Sequence, residues 1–395
     1  MKKVINPFVV SGKIAPEYFC DRRDESDRLV KSIKNGNNLV VISPRRMGKT
    51  GLIKFCYQKP EIDHEYYTFF IDLLHTSNLR EFTYSFGKKI YESIVPGSKK
   101  MRQHFFTALK SLSGQFGFDP LVNAPTFSIE LADIRQPTIT LDEIFHYLEG
   151  ADKPCLVTFD EFQQIAKYPE KNIEALLRTY IQESCNCNFI FAGSEYHIMQ
   201  EMFLSAAHPF YNSTDIMELK AINEEIYTEF VIKLFNERKR KISSDGIHMI
   251  YCLFRGNTYA MQKTFNEAFA LTEEGEECDK EILTEAVENV IESKEPLFTD
   301  ILTNVPEKQR MLLFAIAQER EVRQITSQQF INSHGLVSSS ANQHAAKKLL
   351  ESNIVTKLHG AYYISEPFLE LWINDAYGKK SVRQMMTELY SSSTD

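Results

Sequence analysis

Along the first half of the chain, short unbroken apolar runs alternate with longer stretches whose apolar residues recur every three to four positions. LVVIS (39–43), YTFFIDL (67–73), CLVTF (155–159) and NFIFAGS (188–194) are too short for helices. They are also too evenly apolar for strands with one wet face, so each reads as a buried strand of a parallel sheet. Between them LREFTYSFGKKIYESIV, TLDEIFHYLEG, NIEALLRTYIQES and EYHIMQEMFLSAA read as helices. Such alternation implies crossover connections and a site at the carboxyl ends of the strands. Residues 97–137 break the rhythm. Rich in Phe and Pro, with a strand pattern in TFSIEL, they read as an insertion flanking the site.

The second half changes character. From Asn223 to about Ser293 every segment reads helical, as in EEIYTEFVIKLFNERKR and LTEAVENVIES, and Pro296 and Pro306 bracket an expected linker. Three further helical patterns follow: EKQRMLLFAIAQE, TSQQFINSHG and SSANQHAAKKLLESN. IVTKL and AYYIS then form extended runs around His359-Gly360. Three helices and a hairpin make a winged helix-turn-helix. The expected division is 1–220 for a nucleotide-binding core, 221–295 for a helical lid, and 296–395 for the winged helix with its tail.

Composition narrows this picture only slightly. With 395 residues, 43% hydrophobic and 25% charged, the chain is an ordinary globular protein with room for two or three domains. Nothing approaches the run of about 18 apolar residues that a membrane span needs, and MKKVINPF has no apolar signal core. Seven cysteines fit a reducing cytoplasm, which is the expected location. Cys185 and Cys187 form a CxC pair without a second pair at zinc spacing, and read as ordinary residues at a helix end. A net charge of −8 argues against a broad nucleic-acid-coating surface, though not against a small DNA site.

The candidate chemistry begins at SPRRMGKTG (43–51). It matches the phosphate-binding pattern G-x-x-x-x-G-K-[ST] except that Ser43 replaces the first Gly. Gly48 allows close backbone approach to phosphate, Lys49 supplies an ammonium for the β and γ oxygens, and Thr50 supplies a hydroxyl for Mg²⁺. Ser43, Pro44, Arg45, Arg46, Met47 and Gly51 complete the expected nucleotide loop, which leads into a helix whose positive N-terminal end favours phosphate. Ser tolerates the turn that Gly would relax, and Pro44 stiffens it. Asp160 and Glu161 close the CLVTF strand. Asp160 is expected to organise the metal and Glu161 to act as general base. Ser194, at another strand end, either touches the γ-phosphate or attacking water or merely opens a turn.

Together these residues resemble the prokaryotic AAA+ ATPases of the origin-recognition and STAND-related group, often called archaeal-type ATPases. NPF (6–8) is similar to that family's amino-terminal signature, and FCDRRDE (19–25) to its F-x-G-R-x-x-E box, with Asp21 in place of Gly. PRRMGKT matches its version of the phosphate loop. GNTYAMQ (256–262) resembles the lid motif G-[HN]-P-x-x-[IL]-Q with Thr258 replacing Pro, and PFLELWI (367–373) resembles its carboxyl-terminal ending. The resemblance implies an α/β fold, a P-loop NTPase (AAA+) parallel sheet with a helical lid, followed by an all-α winged-helix domain. It implies ATP or ADP with Mg²⁺ as ligands, Ile14, Arg22 and Glu25 beside the adenine, and Ser194 as the sensor of the γ-phosphate.

Two departures bear on rate. The family's P-[LF]-Y-x-R segment reads HPFYNST here, with no Arg, and the lid motif offers only Arg255 as a substitute for a sensor arginine. An arginine finger contributes about 10³–10⁵ in phosphoryl transfer, so turnover below about 1 s⁻¹ is expected unless Arg178 reaches a neighbour's nucleotide. The expectation is a slow ATPase switch that couples nucleotide state to the winged helix; the alternative is a non-hydrolysing, nucleotide-bound interaction module. If the winged helix reads DNA, its third helix would present Ser338, Ser339, Asn342, Gln343 and Lys347. Residues 306–395 carry ten Lys/Arg against nine Asp/Glu, a net of +1, which is little for a DNA-binding domain. Double-stranded DNA and a protein partner both remain open.

Overall fold

The computed structural model describes residues 6–10, 15–20, 22–94, 105, 107–111, 117–119, 124–126 and 130–393. They form two compact units. One comprises 23–43 and 49–219. The other comprises 1–22, the loop segment 44–48, and 220–395.

The first of these is a parallel sheet with helices. Its strands are β1 (Leu39–Ile42), β2 (Tyr67–Asp72), β3 (Cys155–Asp160), β4 (Cys187–Gly193) and β5 (Asp215–Glu218), in the spatial order β2-β3-β4-β1-β5 with every pair parallel. Helices α1 (Arg23–Lys34), α2 (Lys49–Tyr57), α3 (Leu79–Ile94), α4 (Pro137–Glu149), α5 (Ile173–Glu183) and α6 (Tyr196–Leu204) connect and flank them. Every residue of β1 and β3 is buried, as unbroken apolar strands in a parallel sheet must be. Phe159, Phe189 and Phe191 stack along the sheet face with centroids 6.3–6.4 Å apart, and Phe162, Phe203 and Phe210 pack onto Phe191.

Four strands lie where the apolar runs place them. β5 has no such run because it is an edge strand, with only Met217 buried. Polar bonds fix it instead: Asp215 accepts from the Ser32 hydroxyl and the Asn37 amide at 3.0 Å each. Within 97–137 the described residues include an antiparallel pair, Gly117–Asp119 with Ala124–Thr126; residues 127–129 of TFSIEL lie outside the described residues. The register matters for chemistry. Ile42 lies beside Gly193 and Asp72 beside Asp160, so Ser43, Asp72, Asp160 and Ser194 emerge along one edge of the sheet.

The second unit is mainly helical. Its lid portion holds α7 (Glu224–Asn236), α8 (Ser244–Phe254), α9 (Thr258–Leu271) and α10 (Lys280–Asn304). Asn223, Ser243, Asn257 and Asp279 cap their N-termini by accepting backbone N–H bonds, which sharpens each start. The amino-terminal NPF docks here. Phe8 is fully buried with Phe230, Phe235, Phe265 and Phe269 around it, while Asn266 donates to the Phe8 carbonyl at 2.7 Å.

The winged helix follows: α11 (Glu307–Glu319), α12 (Gln328–Ser333), α13 (Ser339–Glu351), an antiparallel hairpin of β6 (Val355–Leu358) and β7 (Ala361–Ile364), then α14 (Pro367–Tyr377) and α15 (Val382–Ser393). The linker expected from Pro296 is not there. α10 runs through Pro296, because Val290 and Ile291 before it and Phe298 and Leu302 after it are all buried, which outweighs the one backbone bond proline forfeits. Glu370 of α14, only 1% exposed, is held by both Arg255 at the end of α8 and Arg320 at the end of α11. Among the described residues, no helix is long and apolar enough to cross a membrane.

Candidate functional site

The sheet edge of the first unit gathers the expected catalytic set. Asp160 ends β3, where the Thr50 hydroxyl of α2 donates to its carboxylate at 2.7 Å and the Lys49 ammonium lies 3.4 Å away. Burial pushes the Asp160 carboxyl above its ordinary range, and the charge of Lys49 and the Thr50 hydrogen bond oppose that rise. Glu161 takes a left-handed backbone (φ 55°), uncommon for a residue other than glycine. Its carboxylate accepts from the Ser194 hydroxyl and from the Gln163 amide at 2.6 Å each, and Lys49 lies 3.5 Å off. Gln163 did not stand out in the sequence; its position two residues after the Asp-Glu pair is the signal that could have found it.

A cleft of about 570 Å³ opens in front of Thr50, Asp160 and Glu161, with Asp72, Lys54 and Lys88 among its walls. The donor set suits Mg²⁺: one hydroxyl and one carboxylate, both oxygen, leave most of an octahedron for water and phosphate. Gly193 is tightly enclosed, since a Cβ there would lie 2.4 Å from Met199 and 2.8 Å from the Gln163 amide oxygen.

The phosphate loop leaves β1 at Ser43, whose N–H donates to the Gly193 carbonyl at 3.3 Å and whose hydroxyl is buried without a hydrogen-bond partner. Pro44 and Arg45 follow, with Arg45 exposed. Arg46 and Gly48 both have positive φ, 66° and 89°. Residues 44–48 pack with the second unit. The Arg46 carbonyl accepts the Tyr259 N–H at 3.1 Å. The Met47 carbonyl accepts the Arg22 guanidinium at 2.9 Å and the Thr258 hydroxyl at 3.4 Å. A peptide's N–H points opposite its carbonyl, so these anchors turn the N–H groups of Met47 and Gly48 away from the lid helix. Thr258, where a proline was the expected residue, thus has a hydroxyl in use.

The other expected residues divide. Arg22 is 3% exposed and bonded to the loop backbone; Glu25 is half-buried in the first turn of α1; Ile14 lies outside the described residues; Gly51 is in the first turn of α2. Arg255 is not a free sensor, because its guanidinium grips both oxygens of Glu370 at 3.0 and 2.6 Å. Arg178 donates to the Pro209 carbonyl in the HPFYNST segment. In α13, Ser339, Gln343 and Lys347 are exposed, whereas Asn342 is not a base-reading residue. Its helical phase turns it inward, to 3% exposure, with its amide on the Ile325 carbonyl at 2.7 Å.

Comparison with known proteins agrees with this geometry. A family model described as "Probable winged helix domain" matches residues 296–375. Among solved structures, a Walker-type ATPase of Pyrococcus abyssi is similar over 93% of this chain and 99% of its own, at 18% identity and a TM-score of 0.63. The ORC2 protein of Aeropyrum pernix in ADPNP–ADP complexes covers 98% of both chains at 12% identity and a TM-score of 0.56. The ORC1 protein of the same organism in complex with DNA covers 94% of this chain and 97% of its own, at 10% identity and a TM-score of 0.53. These likenesses show the P-loop AAA+ fold. No curated protein matches the sequence. The model described as "ATPase domain predominantly from Archaea" matches residues 19–264, most of the chain, and with the loop, the Asp-Glu pair and the parallel sheet in place the protein belongs to that ATPase family.

Proposed function

We propose that this protein binds ATP or ADP with Mg²⁺ at the 43–51 loop and hydrolyses ATP slowly, as a switch whose state is passed to the winged helix. The observation that carries it is the convergence of Lys49, Thr50, Asp160, Glu161 and Ser194 from three separate segments onto one edge of the sheet. In this reading the backbone N–H groups of the loop and the Lys49 ammonium receive the β and γ oxygens. Thr50 and Asp160 hold Mg²⁺, which when bound offsets the charge on those oxygens.

Glu161 takes a proton from the attacking water as general base. Ser194 and Gln163, by donating to its carboxylate, keep it aimed. Lys49 pairs with both Asp160 and Glu161 at 3.4 and 3.5 Å, so it must shift toward phosphate before Glu161 is free to act.

Low turnover follows because the positions expected to supply an arginine finger or sensor do not offer one. Arg178 and Arg255 are both engaged elsewhere in the chain, and no arginine stands in HPFYNST. That same engagement favours, as the second reading, a module that holds nucleotide without hydrolysing it. Steady-state ATP hydrolysis by the wild type and by Glu161→Gln separates the two. The switch predicts turnover below about 1 s⁻¹ that falls at least tenfold in the variant. Turnover indistinguishable between them would support the second reading. The partner of the winged helix is duplex DNA or a protein, and Gln343 and Lys347 of α13 are the residues offered to it.

A further inference from the structure

Arg46 occupies an unusual position in the phosphate loop. It is a non-glycine residue at φ 66°, and its own carbonyl is bonded to the Tyr259 N–H, so the backbone fixes where the side chain leaves the loop and its rotamers decide where the guanidinium goes. The guanidinium lies over the Tyr259 ring, 4.5 Å from its centroid, and forms an ion pair with Glu366. Glu366 is the residue before Pro367, at the foot of α14 in the winged-helix domain. Its carboxylate is mostly buried, at 17% exposure, and its other cation, Lys294, is 4.0 Å from Oε1, an atom with no hydrogen bond of its own. Arg46 therefore provides the main charge compensation for Glu366.

An arginine in this loop has a second natural partner. A phosphate oxyanion offers it the same fork geometry as a carboxylate and carries more charge. We propose that Glu366 and the nucleotide's phosphates compete for Arg46, so that occupancy of the phosphate loop is reported to the winged-helix domain through one guanidinium. The proposal rests on the nucleotide reading above and names its coupling element.

The rest of the loop stays in place during such an exchange. The Arg22, Thr258 and Tyr259 anchors hold the carbonyls of residues 46 and 47 whichever way the side chain turns. On the winged-helix side, Glu370 one turn further along α14 is locked by Arg255 and Arg320, so release of Glu366 loosens the start of α14 and leaves the body of the helix anchored. The coupling is reciprocal: a ligand that binds the winged helix better when the Arg46–Glu366 pair is formed weakens nucleotide binding by the same factor by which nucleotide weakens the binding of that ligand.

Calorimetric titration of Mg-ATP into the full-length wild type, Glu366→Gln, Arg46→Gln and the double variant tests this. Glu366→Gln should bind about three- to tenfold more tightly than wild type, because Arg46 no longer has to leave a carboxylate. In the Arg46→Gln background the same change should have no effect. An unchanged or weakened affinity in Glu366→Gln, or an equal gain in both backgrounds, overturns the competition. Hydrogen exchange on the wild type adds a readout independent of variant folding: amides of Phe368–Glu370 should exchange faster with Mg-ATP bound, and unchanged exchange also counts against it. Absence of Mg-ATP binding in every one of these proteins would refute the nucleotide reading itself.

Discussion

Replacing Lys49 by Met deletes an ammonium while keeping most of its apolar stem, so the consequence for the nucleotide-free fold is electrostatic. Lys49 is 6% exposed and lies 3.4 Å from Asp160, whose side chain is equally buried. At an effective dielectric constant of about 20 that pair attracts by roughly 5 kcal/mol. The whole amount is not lost, because Asp160 can protonate instead. Its ordinary value is 3.8, and burial already raises it. Holding the carboxyl neutral in the fold costs about 4.4 kcal/mol at ~pH 7 and about 1.6 kcal/mol at ~pH 5.

The sign is fixed by linkage. A carboxyl whose folded value is raised carries no penalty below its unfolded value, and a penalty that grows as pH rises toward the folded one. Lys49→Met should therefore be destabilised, more at ~pH 7 than at ~pH 5, with about 4.4 and about 1.6 kcal/mol as the ceilings that protonation of Asp160 sets. Urea denaturation at the two pH values measures this, and Asp160→Asn added to Lys49→Met should restore the share of the loss that belongs to Asp160, the share of Glu161 remaining. A deficit independent of pH, or one that Asp160→Asn does not relieve, would show that Lys49 and Asp160 are not coupled in this way.

Two other outcomes are expected. Gly193→Ala places a methyl against Met199 and the Gln163 amide, so it should lower stability by about 1–3 kcal/mol and slow hydrolysis by displacing Gln163 from Glu161; an unchanged urea midpoint would refute the close packing. If the winged helix binds duplex DNA, Lys347→Ala should reduce the salt dependence of binding by about one unit. Lys348→Ala should reduce it less, because Lys348 is already paired with Glu351 at 2.8 Å. No duplex binding even at low salt would assign this domain to a protein partner.

Much of the architecture was legible because it is written locally. Unbroken apolar runs mark buried parallel strands, and the loop and the Asp-Glu pair follow two of them directly. The hairpin wing was equally plain around His359-Gly360, both at positive φ. What the sequence concealed depends on partners far away in the chain. β5 carries no apolar run because its place is secured by Ser32 and Asn37, and Pro296 suggested a break that buried side chains on both sides prevent. Asn342 looked like a base-reading residue until its helical phase turned it onto Ile325. Arg22 and Glu370 show the same limit: each is a charged residue whose burial is explained only by a partner distant in sequence, the Met47 carbonyl for one and two arginines for the other.

The central claim is that the 43–51 loop, with Asp160, holds a magnesium nucleotide despite Ser43 in place of glycine. Calorimetric titration of Mg-ADP into wild type and Lys49→Ala tests it most directly, with Ser43→Gly as the control for the altered loop. The account predicts binding to the wild type, at least tenfold weaker binding to Lys49→Ala, a loss of about 1.4 kcal/mol or more, and near wild-type affinity for Ser43→Gly. Equal affinity for wild type and Lys49→Ala, or no binding to the wild type at all, would contradict it.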